Sequence, residues 1–153
     1  MKPKLLLFSL AAALLGACAS VPSGRNAVVP DQALVTPQQA IFMAASAAPA
    51  GVEGVFVMRV QATGLQRDRT YLNSELDYRD QRNLTIAIAP IAARQMAERL
   101  GEHPSVALKG KDILVRGKAV RTTIRLIADG RVSDKYYYQT HVNVTDPAQI
   151  NVR

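Results

Sequence analysis

The side chains that set the chemistry open to this chain are Arg59, Arg67, Arg69, Tyr71, Asn73, Tyr78, Arg79, Arg131 and Lys135. Their guanidinium and ammonium groups can meet phosphates or carboxylates, and their tyrosine rings offer flat faces on which bases stack. Cations beside aromatic rings are what a single-stranded nucleic acid requires of its binder. The same set suits an acidic glycan or the edge of another protein. A plainer role is also open: Tyr71 and Tyr78 pack on the rim of the fold, and Arg79 pairs with Asp77 or Asp80.

Residues for catalysis are harder to assemble. Asp77 and Asp80 lie close together in a turn, as a general acid and base would need. Solvated turns commonly carry such acids with no chemical role. His103 and His141 fall in different elements, and the chain contains no HExxH, CxxC or paired-histidine spacing that would hold a metal. Ser74 and Ser105 have no histidine at a recognisable motif spacing, and no glycine-rich phosphate loop exists. The expectation is a non-catalytic binding protein, with no catalytic residue, metal or cofactor.

Cys18 is the only cysteine. In an exported chain such a residue pairs between molecules, stays free or is modified. Lys2 and Lys4 precede the apolar run Leu5–Leu15 (LLLFSLAAALL), which is too short for a spanning helix of about 20 residues and suits the core of a signal peptide. Leu15-Gly16-Ala17-Cys18 resembles the bacterial lipobox. That resemblance implies cleavage before Cys18, a diacylglyceryl cysteine with an added palmitate, and attachment to the lipid bilayer. By the same resemblance, Ala19 in place of aspartate favours the outer membrane, facing the periplasm. Removing residues 1–17 takes away two lysines and no acids, so a net charge of +7 becomes +5. A moderately basic balance permits an anionic partner without selecting one.

The elements that would position these groups are legible in the pattern. Residues 18–36 contain Pro22, Gly24 and Pro30, hold no period, and read as a flexible tether. Thr36 and Pro37 start a short helix through Ser46, with Ile41, Phe42 and Ala45 on its apolar face. Val52, Phe56, Met58 and Val60 then alternate as a strand. Gly64 opens a first loop carrying Arg67 and Arg69. Thr70, Leu72 and Ser74 alternate with Tyr71, Asn73 and Glu75, and Leu84, Ile86 and Ile88 form one side of a third strand. Pro90 to Gly101 reads as a helix. Two strands close the chain, the first bending or bulging at Gly117, with a loop ADGRVSDK between them that carries Arg131 and Lys135. Three strands, a helix and two strands is the order of the OB-fold, a five-stranded Greek-key barrel. The same elements also suit an open α+β sheet. The expected organisation is a signal peptide over 1–17, a tether over 18–36, and over 37–153 a mainly β OB-fold domain with an added N-terminal helix.

Tyr71-Leu72-Asn73, Asp77-Tyr78-Arg79, Val115-Arg116-Gly117, and Pro147 with Gln149 and Ile150 resemble, in that order, the pattern of a bacterial exported OB-fold domain. That domain also occurs attached to thermonuclease-like chains. Ser74, Glu75 and Leu84 depart from it by removing aromatic surface near the turn. The resemblance covers roughly residues 50 to 153. It implies binding on the face of strands two and three, flanked by the first and last hairpin loops. No nuclease activity comes with it, because that chemistry belongs to the other domain of the longer chains. The function expected is a lipid-anchored envelope module that binds nucleic acid or another anionic polymer. The alternative is a structural or assembly lipoprotein that binds other envelope proteins.

Overall fold

The structure, a computed structural model, describes residues 33–153; the signal segment, Cys18 and most of the expected tether lie outside the described residues. Thr36 begins helix α1 (Pro37–Ser46) with a capping box. Its hydroxyl accepts from the Gln39 N–H, and its own N–H donates to Gln39 Oε1 at 2.9 Å. The buried face of α1 differs from the one expected. Ala40 and Ala44 are fully buried, while Phe42 is 73% exposed. The two alanines lie one turn apart, and their small size lets the helix approach the strands closely.

Among the described residues eight strands form, where five were expected: β1 (Leu34–Val35), β2 (Val52–Arg59), β3 (Ala62–Gln66), β4 (Arg69–Asn73), β5 (Leu84–Ile88), β6 (Asp112–Ala128), β7 (Arg131–Val144) and β8 (Ile150–Val152). The first expected strand is broken at Val60 and Gln61 into β2 and β3. Two short additions account for the rest. β1, drawn from the stretch expected to be tether, lies parallel to β2, and β8 pairs antiparallel with β6.

The break at Val60 and Gln61 has a physical cause. The Val60 N–H donates to the Lys111 carbonyl and the Val60 carbonyl accepts from Gly110, both just ahead of β6. The next N–H, that of Gln61, donates to the Asn73 carbonyl at the end of β4. Within one residue the chain changes neighbours. Since the sheet otherwise runs β2-β6-β7-β5-β4-β3, this bend joins its two ends. β5 and β7 are the parallel pair inside that circuit, with Leu84 opposite Thr140 and Ile88 opposite Val144.

Alternation along each strand fills the interior. Phe56, Met58 and Val60 meet Leu72, Leu84, Ile86 and Ile88 from one side and Ile113, Val115, Val142 and Val144 from the other. Helix α2 (Pro90–Leu100) adds Ala92, Ala93 and Met96 to this core, starts with Pro90 in its first turn, and ends at Gly101 in the left-handed conformation. A four-residue helix α3 (Pro104–Ala107) packs against α2 and β4. Among the described residues no helix is long and apolar enough to cross a membrane.

The expected bulge at Gly117 is absent. Gly117 pairs in unbroken register with Gly54 of β2, and its φ is not left-handed. Glycine is needed there for another reason: a Cβ would lie 2.9 Å from Val142 Cγ1 and 3.3 Å from Gln149 Nε2. The register shift of β6 comes later, between Arg125 and Ile127. The apolar phase changes just beyond Ala119 because β6 there leaves β2 and its other face becomes partly covered.

Beyond the Arg121–Thr140 rung the strands β6 and β7 pair only with each other, since β2 stops opposite Ala119 and β5 opposite Thr140. They form a projecting two-stranded arm. The loop expected over ADGRVSDK is reduced to the two-residue turn Asp129–Gly130, with φ of 52° and 74°. The first loop likewise shrinks to Arg67–Asp68, with φ of 50° and 63°, and Gly64 lies inside β3. Both turns twist in the sense that suits a tight hairpin.

Gly117→Val would press a Cβ, and the bulk attached to it, against Val142 and Gln149. It is expected to destabilise the fold by about 1–3 kcal/mol in equilibrium denaturation, with Gly117→Ala costing less. An unchanged midpoint would deny the close approach.

Candidate functional site

The outer face of β4, β5 and β7 collects the polar and aromatic side chains. Leu72, Ile86 and Val142 point inward, so alternation turns Arg69, Tyr71 and Asn73 of β4 outward. It does the same for Thr85 and Ala87 of β5, and for Tyr137, Gln139, His141 and Asn143 of β7. Register sets Tyr71, Ala87 and Asn143 in one row and Asn73, Thr85 and His141 in the next. Ala87 is small and almost fully covered by its larger neighbours. Tyr71 and His141 meet edge to face, with ring centroids 6.4 Å apart.

Hydrogen bonds fix the polar groups of this face. Arg69 Nη1 donates to Asn143 Oδ1 at 3.2 Å. Gln139 Nε2 donates to the Tyr78 carbonyl at 3.0 Å and to the Tyr137 hydroxyl at 3.2 Å. A carbonyl only accepts, which settles the orientation of the Gln139 amide. Its Oε1 therefore faces His141 Nε2 at 2.7 Å, and that nitrogen carries the proton. Burial pushes the His141 pKa below the ordinary histidine value, and the nearby Arg69 cation adds to the effect. Burial, followed by the neighbouring Tyr78, raises the Tyr137 phenol. Both rings therefore stand neutral near pH 7, and the charge on this face belongs to arginine.

The turn between β4 and β5 borders the face. Asn83, 2% exposed, organises it. Its amide donates to Asn73 Oδ1, Thr85 Oγ1 and the Tyr78 carbonyl, and its Oδ1 accepts from the Glu75 N–H. Ser74 Oγ accepts from the Leu84 N–H at 2.8 Å. At the exposed rim the Arg79 guanidinium lies 5.1 Å from the Tyr78 ring centre, and its Nε donates to the Tyr78 hydroxyl at 3.2 Å.

The acids of this turn, Asp77 and Asp80, are each held by an arginine of the same turn. Asp77 accepts from the Arg79 N–H at 2.9 Å. Asp80 is held by the Arg82 side chain at 2.7 Å and also by the Arg82 N–H, which lower its pKa to about 2. A carboxylate so stabilised as an anion is a poor general acid. His103 Nδ1 does reach Ser105 Oγ at 2.8 Å, but this contact caps α3. Among the described residues no three histidine, cysteine or acidic side chains gather as metal ligands.

The structure therefore sorts the candidate residues. Arg69 and Tyr71 stand on the β4–β5–β7 face, and Tyr78 and Arg79 stand at its rim. Asn73 is 5% exposed and its side-chain oxygen is taken up within the turn, so it serves the scaffold. Arg59 belongs to the β2–β6 pair, 3.4 Å from Asp112, beside a different cavity of about 570 Å³. Arg67 occupies the tight turn between β3 and β4. Arg131 and Lys135 lie on the distal arm. Tyr137, Gln139, His141 and Asn143 join this face without being among the expected site residues. Their signal was present: every second position of β7 is polar or aromatic while Val142 and Val144 hold the other parity.

No family profile and no curated protein matches this chain. Among solved structures, it is similar to an aspartyl-tRNA synthetase from Entamoeba histolytica, with 9% identity and a TM-score of 0.44 over 99% of this chain and 28% of that one. It is also similar to a small single-stranded DNA-binding protein from Streptomyces coelicolor, with 18% identity and a TM-score of 0.38 over 67% of this chain and 94% of that one. The chain thus spans under a third of the synthetase.

Protonating His141 places a second cation beside Arg69. A histidine whose folded pKa is depressed contributes stability that is fully present above its unfolded pKa and is lost as pH falls through the window below it. The melting temperature is expected to hold steady above about pH 6.5, the unfolded histidine value, and to fall as the pH drops below it. His141→Gln should flatten that slope, and an identical slope in the variant would remove His141 as its source.

Proposed function

We propose that this protein is a non-catalytic OB-fold binding module, lipid-anchored through Cys18 in the bacterial cell envelope, that holds an anionic polymer on its β4–β5–β7 face. The OB-fold reading rests on the pairing circuit. The split first strand, β4, β5, the intervening helix α2, β6 and β7 follow that order of elements, with a parallel pair between the third and the last. The observation that carries the binding reading is the gathering of Arg69, Tyr71, Tyr78 and Arg79 with Tyr137 and His141 on one surface. Neutral rings beside fixed guanidinium groups suit a strand that alternates flat units with anions. Single-stranded nucleic acid and acidic glycan both have that form.

Every described core residue lies between Ala40 and Ile150, so a chain beginning at Asp31 retains the whole core. Such a protein is titrated with oligothymidylate, an acidic glycan and a neutral glycan at two salt concentrations. The expected outcome is binding of the anionic polymers, weakened by salt. Tyr71→Ala is expected to reduce oligonucleotide affinity by about 1–3 kcal/mol. Arg69→Gln should reduce both the affinity and its salt dependence. Absence of binding to any anion at low salt rejects the proposal. A second reading, an assembly lipoprotein that binds envelope proteins, draws on the exposed Leu126, Ile127 and Val132 of the arm. It predicts capture by protein partners with little dependence on salt.

The anchoring half has its own experiment. Cys18→Ser is expected to abolish incorporation of labelled fatty acid and the lipoprotein-specific cleavage. Equal membrane retention and processing in that variant would remove the anchor from the proposal.

A further inference from the structure

The arm of β6 and β7 has a second face, turned away from the site above. Directly paired residues of antiparallel strands share a face. Arg121 with Thr140, Thr123 with Tyr138, and Arg125 with Tyr136 therefore lie together on the side that continues the barrel interior. Past the last strand of the barrel this side opens into a cleft of about 320 Å³. Ile41 and Ala45 of α1 form one wall, Arg121, Tyr136 and Tyr138 supply the other, and Gln81 with Tyr137 and Gln139, which also serve the β4–β5–β7 face, line its border.

The Arg121 guanidinium lies 3.7 Å from the centre of the Tyr138 ring. Tyr136 stands edge to face with Tyr138, centroids 5.4 Å apart, and remains 54% exposed. Arg121 is the single charge lining the cleft, and no carboxylate lines it. The ion pairs among the described residues, Arg59–Asp112 and Arg82–Asp80, leave Arg121 without an anionic partner. The Tyr138 ring lies against one side of this guanidinium, and a planar guanidinium can donate two parallel hydrogen bonds to a phosphate or carboxylate. Beside it, the exposed Tyr136 offers a face for a planar ring, and the methyls of Ile41 and Ala45 close the opposite side.

We infer that this cleft is a separate site for one nucleotide unit, its phosphate on the N–H edge of Arg121 and its base against Tyr136. The volume is at the lower end of small-ligand sites, about 300 Å³, and suits a monomer better than a polymer. The unit is either a free mononucleotide or the unstacked end of a strand. The inference takes nucleic-acid chemistry from the proposed function but uses different residues, so each can fail alone.

The experiment uses the chain beginning at Asp31. With no tryptophan present, tyrosine fluorescence reports binding directly. Uridine monophosphate, uridine, inorganic phosphate and glucuronate are titrated separately, followed by oligothymidylate with and without a 5′ phosphate. Uridine monophosphate is expected to bind more tightly than uridine or phosphate alone. Arg121→Gln and Tyr136→Leu are each expected to weaken it by roughly tenfold, within the range typical of a stacked base or a charged contact. Ala45→Glu, at an exposed helix position, places a carboxylate in the wall and should abolish binding with the melting temperature unchanged. Tyr71→Ala should leave uridine monophosphate binding intact while weakening oligothymidylate, which separates this site from the β4–β5–β7 face. Tighter binding of the 5′-phosphorylated oligonucleotide, lost in Arg121→Gln, assigns the cleft to a strand end. Equal affinity for both oligonucleotides assigns it to the free nucleotide. Glucuronate binding as tightly as uridine monophosphate, or uridine monophosphate binding unaffected by Arg121→Gln and Ala45→Glu, would overturn the inference.

Discussion

Everything in this fold depends on one change of hydrogen-bonding neighbours. At Val60 the backbone bonds toward the start of β6, and at Gln61 it bonds to the end of β4. A strand with a single set of partners would leave β3 as one open edge of a sheet and β2 near the other. By serving both, the stretch from Val52 to Gln66 draws the ends of the sheet together and gives Phe56, Leu72, Ile86 and Val142 a common interior. Val60, fully buried at the bend, adds its side chain to the core that the bend encloses.

That closure also determines the outer surface. With Leu72, Ile86 and Val142 committed inward, strict alternation leaves Tyr71, Ala87 and His141 no place but outside. The turn stitched by Asn83 then holds Tyr78 against Gln139, so a residue of the β4–β5 connection and a residue of the arm share one hydrogen bond. Tyr71 and His141 are carried on paired strands, and the Arg79 guanidinium is held against Tyr78 at the rim. Such a surface combines an aromatic floor with placed positive charge, an arrangement suited to ligands that repeat one flat, anionic unit.

Much of this was legible beforehand, for identifiable reasons. The alternation of Leu84, Ile86 and Ile88, the Thr36–Pro37 start of α1 and the Pro90–Gly101 limits of α2 are local signals, and the structure agrees with each. What escaped were features decided by partners far away in sequence. The split at Val60 depends on Asn73 and Lys111. The reason for Gly117 is Val142, not its own backbone conformation. Asn73 looked like a surface ligand because its parity points outward; Asn83 and Thr85, ten and more residues away, take it into a buried network. Phe42 outranks Ala40 and Ala44 on any hydrophobic scale, yet the space beside the strands admits only methyl groups. The arm was hidden because Asp129–Gly130 and its polar neighbours read as a long loop, while cross-strand pairs such as Ile127 and Val132 show themselves only once the register is known.

The arm carries an implication for how this protein can vary. Seven residues of β6 from Thr122 to Ala128, at roughly 3.3 Å each, make a projection of ~23 Å. None of that length is bonded to the rest of the sheet. Residues could be added to or removed from its two strands in matched pairs, keeping the Asp129–Gly130 turn, without disturbing a single hydrogen bond of the enclosed core. Reach is thus a quantity that mutation can adjust in steps of one rung while stability stays nearly constant. Related chains with the same interior could differ in how far from the barrel they make contact.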